Sequence, residues 1–310
     1  MTRIKSIINY LLFFSVIFFP LFYFSAEPLV EADVGWHIKA GHLMRELGAI
    51  PENDPWSFTS DHKWINLSWG WDIICSYITD FIPIQYLKIV NAFLYSSLLM
   101  FDLKTLDSFG SMRTEAKFLS IIFAALVLHD WMYFRPQIIS FFLLLTIYQL
   151  LNQSKTNASI GKIFAVLAII IIWANLHGMV IIAFPLIGAY IIEALLEKRY
   201  SWLPFLISTL ITSCLASLIN SYNYEIFSGI LLTVDSIATE FITEWGSFKF
   251  LENTTTSIFL CLFVVIANVT NPRIPLAVKI CTYLWFIASL IHNVTFQYLH
   301  LLHYLIWRFV

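Results

Sequence analysis

Charge is the first thing this sequence lacks: only 12% of its 310 residues are Asp, Glu, Lys or Arg, while 59% are apolar and the mean hydropathy is +0.77. A water-soluble domain needs about twice that share of charge, so the expected solvent is lipid. Cysteine is equally sparse. There are four, three of them (Cys214, Cys261 and Cys281) inside apolar runs, which excludes a disulfide framework and a CxxC metal knuckle. No basic run is present, and the net charge of -2 points to no charged partner, so nucleic acid is excluded as a ligand. Internal repeats, low-complexity tracts and polar linkers are absent too, and the expectation is a single domain over 1–310.

What is present is a series of long apolar runs. They fall near 7–25, 84–101, 118–134, 137–151, 163–175, 178–196, 203–219, 257–270 and 276–294, with a tenth beginning near 299. Each is too long for a barrel strand, and backbone groups in hydrocarbon must be satisfied within their own segment, so the runs read as helices. The fold class expected is therefore an all-α polytopic membrane protein of about nine or ten spans. The first run lacks a small residue three positions before a cleavage point and reads as a retained anchor.

Lysine and arginine set the orientation. With the N-terminus cytoplasmic, Lys104, Arg113, Lys117, Lys155, Lys162, Lys198, Arg199 and Arg273 all fall on the inner side. Most carboxylates fall outside, in two long segments, 26–83 and 220–256. Long polar excursions on one face of a helical bundle are where sites are built. The expected location is the cytoplasmic membrane, with the site facing outward.

In the first outer segment, Asp33 precedes a stretch of helical periodicity, 34–47, that ends at Gly48 with Pro51 beyond. Trp36, Ala40, Leu43, Met44 and Leu47 form one stripe and Lys39, His42, Arg45 and Glu46 the opposite one, the pattern of a helix lying in the interface. Asp33 is either a working carboxylate or simply the helix cap. Beyond it come Trp56, Trp64, Trp69 and Trp71, which suit interfacial anchors as well as sugar-stacking surfaces.

Several strings carry a resemblance. They are Asp33-Val-Gly-Trp36-His37, Gly41, Gly48-Ala-Ile-Pro51, Asp54-Pro55-Trp-Ser57-Phe-Thr59, Trp64 and Trp69, then Arg135-Pro136-Gln137, Trp173-Ala-Asn175-Leu-His177-Gly178, Asn220-Ser-Tyr222 and Glu244-Trp245. In this order they resemble bacterial GT-C-type membrane glycosyltransferases, the polyprenyl-phosphate-sugar-dependent enzymes related to protein mannosyltransferases. Where relatives often have Asn-Pro-Tyr, this chain has Asn220-Ser221-Tyr222. The resemblance implies an inverting transfer outside the membrane, from a lipid-phosphate-linked sugar to a lipid, glycan or protein acceptor. It also implies an essential acid just after the first span, a position that Asp33 fits.

Inverting transfer needs one carboxylate to take the acceptor hydroxyl's proton as that oxygen attacks the anomeric carbon. The leaving phosphate is already a good anion and needs only fixed donors and cations. Asp33 is accordingly the candidate base, with Glu31, His37 and Glu244 in support. Arg135 is the first candidate for the donor phosphate, by its two-pronged geometry, and Asn175 and His177 are further candidates. The competing reading for Arg135 is pairing with Asp130 or with headgroups; for Asn175 and His177 it is helix-to-helix hydrogen bonding. No cofactor is expected. Asp33, His37 and Glu31 could bind a divalent cation, but no second pair of ligands stands at metal-binding spacing. Two other readings are a transporter or flippase for a lipid-linked saccharide and a non-catalytic membrane scaffold. The first would be expected to show mid-membrane charges and paired, broken spans. Convergence of Asp33 and Arg135 separates an enzyme from a scaffold.

Overall fold

The structure, a computed structural model, describes residues 2–24, 31–56, 63–107, 132–234 and 275–291. The spans expected at 118–134 (apart from 132–134) and 257–270, and the start near 299, lie outside these residues. The described chain is all-α. Its helices are α1 (Thr2–Phe24), α2 (Ala32–Leu47), α3 (Trp69–Phe81), α4 (Leu87–Asp107), α5 (Gln137–Ser154), α6 (Ile160–Leu176), α7 (Ala183–Leu196), α8 (Leu203–Ala216), α9 (Glu225–Val234) and α10 (Leu276–Ile291). The one β-type pairing among the described residues is an isolated bridge between Asn53 and Lys63.

Among the described residues, two helical stretches are long and apolar enough to cross a membrane, Ile84–Leu103 and Gly178–Leu196, each including a leading 3₁₀ turn. Others are shorter than a crossing needs. The 17 residues of α6 rise about 25 Å, against about 30 Å of hydrocarbon in a bilayer.

The chain groups into two compact units, Met1–Phe142 with Asn175–His177, and Leu143–Ala174 with Gly178–Val310. In the second unit α7 packs against α8 and α10. A fully buried carboxylate, Glu193, fastens it: the ammonium of Lys155 pairs with Oε1, and the backbone N–H of Ala277 donates to Oε2 at 2.7 Å. Lys155 also lies over the rings of Tyr190 and Trp202, and Trp202 donates its indole N–H to Ser154 at 2.9 Å. Both charges are thus matched, without which burying them would cost several kcal/mol each.

In the first unit α1 packs on α4, with Phe14 and Phe93 rings 5.6 Å apart, and α2 packs on α3. The α2 helix stops at Gly48, whose φ of 65° is the left-handed conformation that glycine adopts freely. The pairing of α2 with α3 is a backbone approach. A Cβ on Gly41 would lie 1.9 Å from the carbonyl oxygen of Asp72, so only glycine fits there. This contact turns α2 from the stripe read in sequence. Its buried face is Val34, His37, Ala40, Gly41 and Met44, while Trp36 and Leu47 are exposed. Trp36 instead meets Trp56 and Trp64 edge-on, all three ring pairs having centroids 5.6–5.8 Å apart.

Candidate functional site

Glu31, not Asp33, caps α2: its side chain accepts the N–H of Asp33 at 3.3 Å. Asp33 sits in the first helical turn, where a negative charge is favoured by the helix dipole. The chain returns to this point a hundred residues later. Asn91 of α4 donates to the carbonyl of Met132 at 2.6 Å, and Phe134 packs on Trp71 of α3 at 5.2 Å, which fixes the strip leading into α5. Arg135 follows, and Pro136 turns the chain into the helix, a position that suits proline.

The guanidinium Nη2 of Arg135 then reaches both carboxylates, 2.5 Å from Glu31 Oε1 and 3.3 Å from Asp33 Oδ2. The two acids are not equivalent. The Glu31 side chain is 9% exposed and that of Asp33 57%. Burial alone would raise the pKa of Glu31, but the hydrogen bond and charge of Arg135, with the N–H groups of Asp33 and Val34, outweigh it and hold the carboxyl below its ordinary range. Glu31 is a buried counter-ion for Arg135, and Asp33 is the reachable carboxylate.

One turn along α2, His37 faces inward. Its Nδ1 lies 2.6 Å from Oδ1 of Asp72, which is fully buried, and Asn66 donates to the other Asp72 oxygen at 2.7 Å. An ionised carboxylate only accepts, so Nδ1 carries the proton and donates. Asp72 thereby fixes the ring's orientation and tautomer and leaves Nε2 as the reactive nitrogen.

Asn175 and His177 join this same unit. Gly70, at the start of α3, lies against Asn175; a Cβ there would stand 2.6 Å from the Asn175 carbonyl oxygen. His177 is held by Ser140 of α5, its Nδ1 2.8 Å from the Ser140 hydroxyl. The surrounding protein, and secondarily the nearby positive charge of His37, push the pKa of His177 down to about 3, so its ring is neutral near pH 7.

Of the residues singled out in sequence, Asp33, Glu31 and Arg135 form one cluster, and His37, His177 and Asn175 lie in the same unit around the start of α3. Glu244 lies outside the described residues. Among the described residues, no group of three or more His, Cys, Asp or Glu side chains is placed to hold a metal ion. Three contributors were not anticipated as site residues: Asp72, Asn66 and Ser140. One signal for Asp72 was readable, an acid flanked by Trp71 and Ile73-Ile74 in the stretch that turns out to be α3. No protein-family model, curated protein or solved structure matches the chain.

Proposed function

We propose that this chain is an inverting membrane glycosyltransferase of GT-C type, moving a sugar from a polyprenyl-phosphate donor to an acceptor on the outer face of the cytoplasmic membrane. The observation that carries this reading is the division of labour between the two acids at the head of α2. Glu31 supplies the cap and the buried counter-ion, so Asp33 is bound to neither duty and stands half-exposed 3.3 Å from Arg135. That is what a general base requires: a carboxylate reachable by a hydroxyl and held by a neighbour. Arg135 positions both acids from one guanidinium.

In this reading the bundle is multi-pass with its N-terminus inside. The many exposed apolar side chains support a lipid surround, among them Leu12 and Phe19 on α1, Phe164 on α6 and Ile211 and Leu215 on α8. The reaction moves one proton: the acceptor hydroxyl yields it to Asp33 as its oxygen bonds to the anomeric carbon, and the polyprenyl phosphate departs as its anion.

The test is transfer from radiolabelled polyprenyl-phospho-sugars by purified protein, with Asp33→Asn as the control. The variant keeps the fold, because the cap is Glu31, and its turnover falls by about 100-fold or more. Near-normal transfer by a variant of normal thermal stability would sink the assignment. In that case Glu31→Gln becomes the next variant to assay.

A further inference from the structure

The outer face of α2 carries three unlike groups in register. Asp33, Trp36 and Lys39 follow one another at three-residue spacing and are all exposed, Trp36 by 38%. Helical neighbours at that spacing share a face, with Cβ atoms about 5–6 Å apart. Carboxylate, indole and ammonium therefore stand in one row, and the acid that heads it is the reachable one beside Arg135.

A second segment is pinned against this row. The N–H of Trp64 donates to the Glu52 carbonyl at 2.7 Å, Asn53 and Lys63 form their isolated bridge beside it, and the N–H of Trp56 donates to the Asp54 carboxylate at 2.9 Å. These bonds hold the backbone on either side of the loop, and Trp56 and Trp64 come to Trp36 with ring planes 67° and 85° from its own and 82° from each other. The Lys39 ammonium lies 5.5 Å from the centre of the Trp56 ring. Indoles that act only as interfacial anchors reach the headgroups singly. Here each of the three rings is oriented by the other two, next to a carboxylate and an ammonium.

We propose that this face is the acceptor subsite and that the acceptor is a saccharide, its pyranose ring stacked on Trp36 and a hydroxyl oxygen accepting from Lys39. The inference rests on the glycosyltransferase reading and deepens it, reducing three acceptor classes to one.

The chemistry separates a sugar from the other two. An indole is negative over its face and positive at its edge, so it attracts the C–H bonds on the flat side of a pyranose, which the ring and hydroxyl oxygens polarise. The hydroxyls stand at the rim of that sugar, where an ammonium with three N–H donors meets their oxygens. A lipid alcohol has no hydroxyl rim for Lys39, and a serine or threonine of a peptide has no flat C–H face for Trp36. A pyranose seated on Trp36 has its rim within one helical turn of Asp33. The attacking hydroxyl there yields its proton to Asp33 as its oxygen bonds to the donor's anomeric carbon and the bond to phosphate breaks.

Saturation-transfer NMR on the purified full-length protein in nanodiscs, with no donor present, tests this. The probes are maltose, lactose, chitobiose and digalacturonate, with a Ser/Thr pentapeptide and farnesol as the competing acceptor classes. At least one saccharide should bind saturably and receive magnetisation at its ring C–H protons. Trp36→Leu keeps an apolar side chain but no ring face and should weaken that binding by about 5-fold or more. Trp36→Tyr restores a face and should bring it back to within about 3-fold of wild type. Lys39→Met keeps the stem, lies outside the aromatic cluster and should weaken binding by about 3-fold or more. Each variant is first checked for wild-type melting, and Lys39→Met decides the matter if Trp36→Leu unfolds. Saturable binding by no saccharide, or equal binding by the folded variants, overturns the proposal. Binding of the peptide or of farnesol that depends on Trp36 overturns it too and gives the face to that class. Failure here beside normal transfer removes the subsite and keeps the enzyme, whereas saccharide binding by a protein inert in transfer keeps the subsite and removes the enzyme.

Discussion

Arg135 and Glu31 meet at 2.5 Å although 104 residues separate them. This one bond brings the start of α5 to the head of α2. It also makes Arg135 the residue through which Asp33 is held, rather than an isolated cation at a helix end.

Geometry, more than charge, is what Arg135 contributes. Both carboxylates are reached through the single atom Nη2 at the end of the long arginine stem, and a lysine ammonium at that position keeps the charge but ends on a shorter stem with different donor directions. Arg135→Lys should therefore lower transfer by about 10-fold or more. Comparison of the variant's kcat with that of wild type checks this, and undiminished kcat would remove the positioning role.

The lowered pKa of Glu31 makes a prediction about acid. A carboxyl depressed in the folded protein adds stability at pH values above its ordinary value of 4.5, and that stability is lost as pH falls through the depressed value. Glu31→Gln removes the charge and keeps an acceptor for the cap. It should melt lower than wild type at pH 7, by about 1–3 kcal/mol for the lost ion-paired hydrogen bond, and the gap should close on acidification below about 4.5. A gap that is constant from pH 7 to pH 3 would contradict the assignment.

Two glycines of α2 should respond in opposite directions. Gly41→Ala forces a methyl group against the Asp72 carbonyl and should cost about 1–3 kcal/mol, loosening the His37–Asp72 pair as well. Nothing lies within 4 Å of a Cβ at Gly35, and Gly35→Ala should be neutral or stabilise by up to about 1 kcal/mol through helix propensity. Thermal melts of the two variants side by side decide this.

The much of the site that was legible lay in local signals. Gly48 and Pro51 marked the end of α2, and the acid after the first apolar run marked its start. What sequence could not give was pairing at a distance. Asp72 stood among a dozen outer carboxylates, and only the close approach at Gly41 brings it to His37, 35 positions away. Trp69 and Trp71 read, with Trp56 and Trp64, as interfacial anchors, yet they open α3, in which Trp71 and Cys75 are buried. Glu31 took the cap from Asp33 because Arg135 anchors it, a partner more than a hundred residues away.

Sidedness is open to direct labelling. Glu52 and Asn157 are both exposed, and the lysine and arginine bias puts the first outside and the second inside. In a background without the four native cysteines, Glu52→Cys should react with an impermeant maleimide in intact spheroplasts, and Asn157→Cys only after permeabilisation. The reverse pattern would invert the topology, and equal reactivity would remove it.

Trp36, Trp56 and Trp64 touch pairwise within 6 Å, and indoles this close exchange excitation faster than they emit. They act as one chromophore, giving a coupled signal in ultraviolet circular dichroism whose sign and size depend on the angles between rings. Since Trp36 is the neighbour of His37, a rotation of the first turns of α2 changes those angles, and the molecule carries a built-in optical gauge of events at its own site.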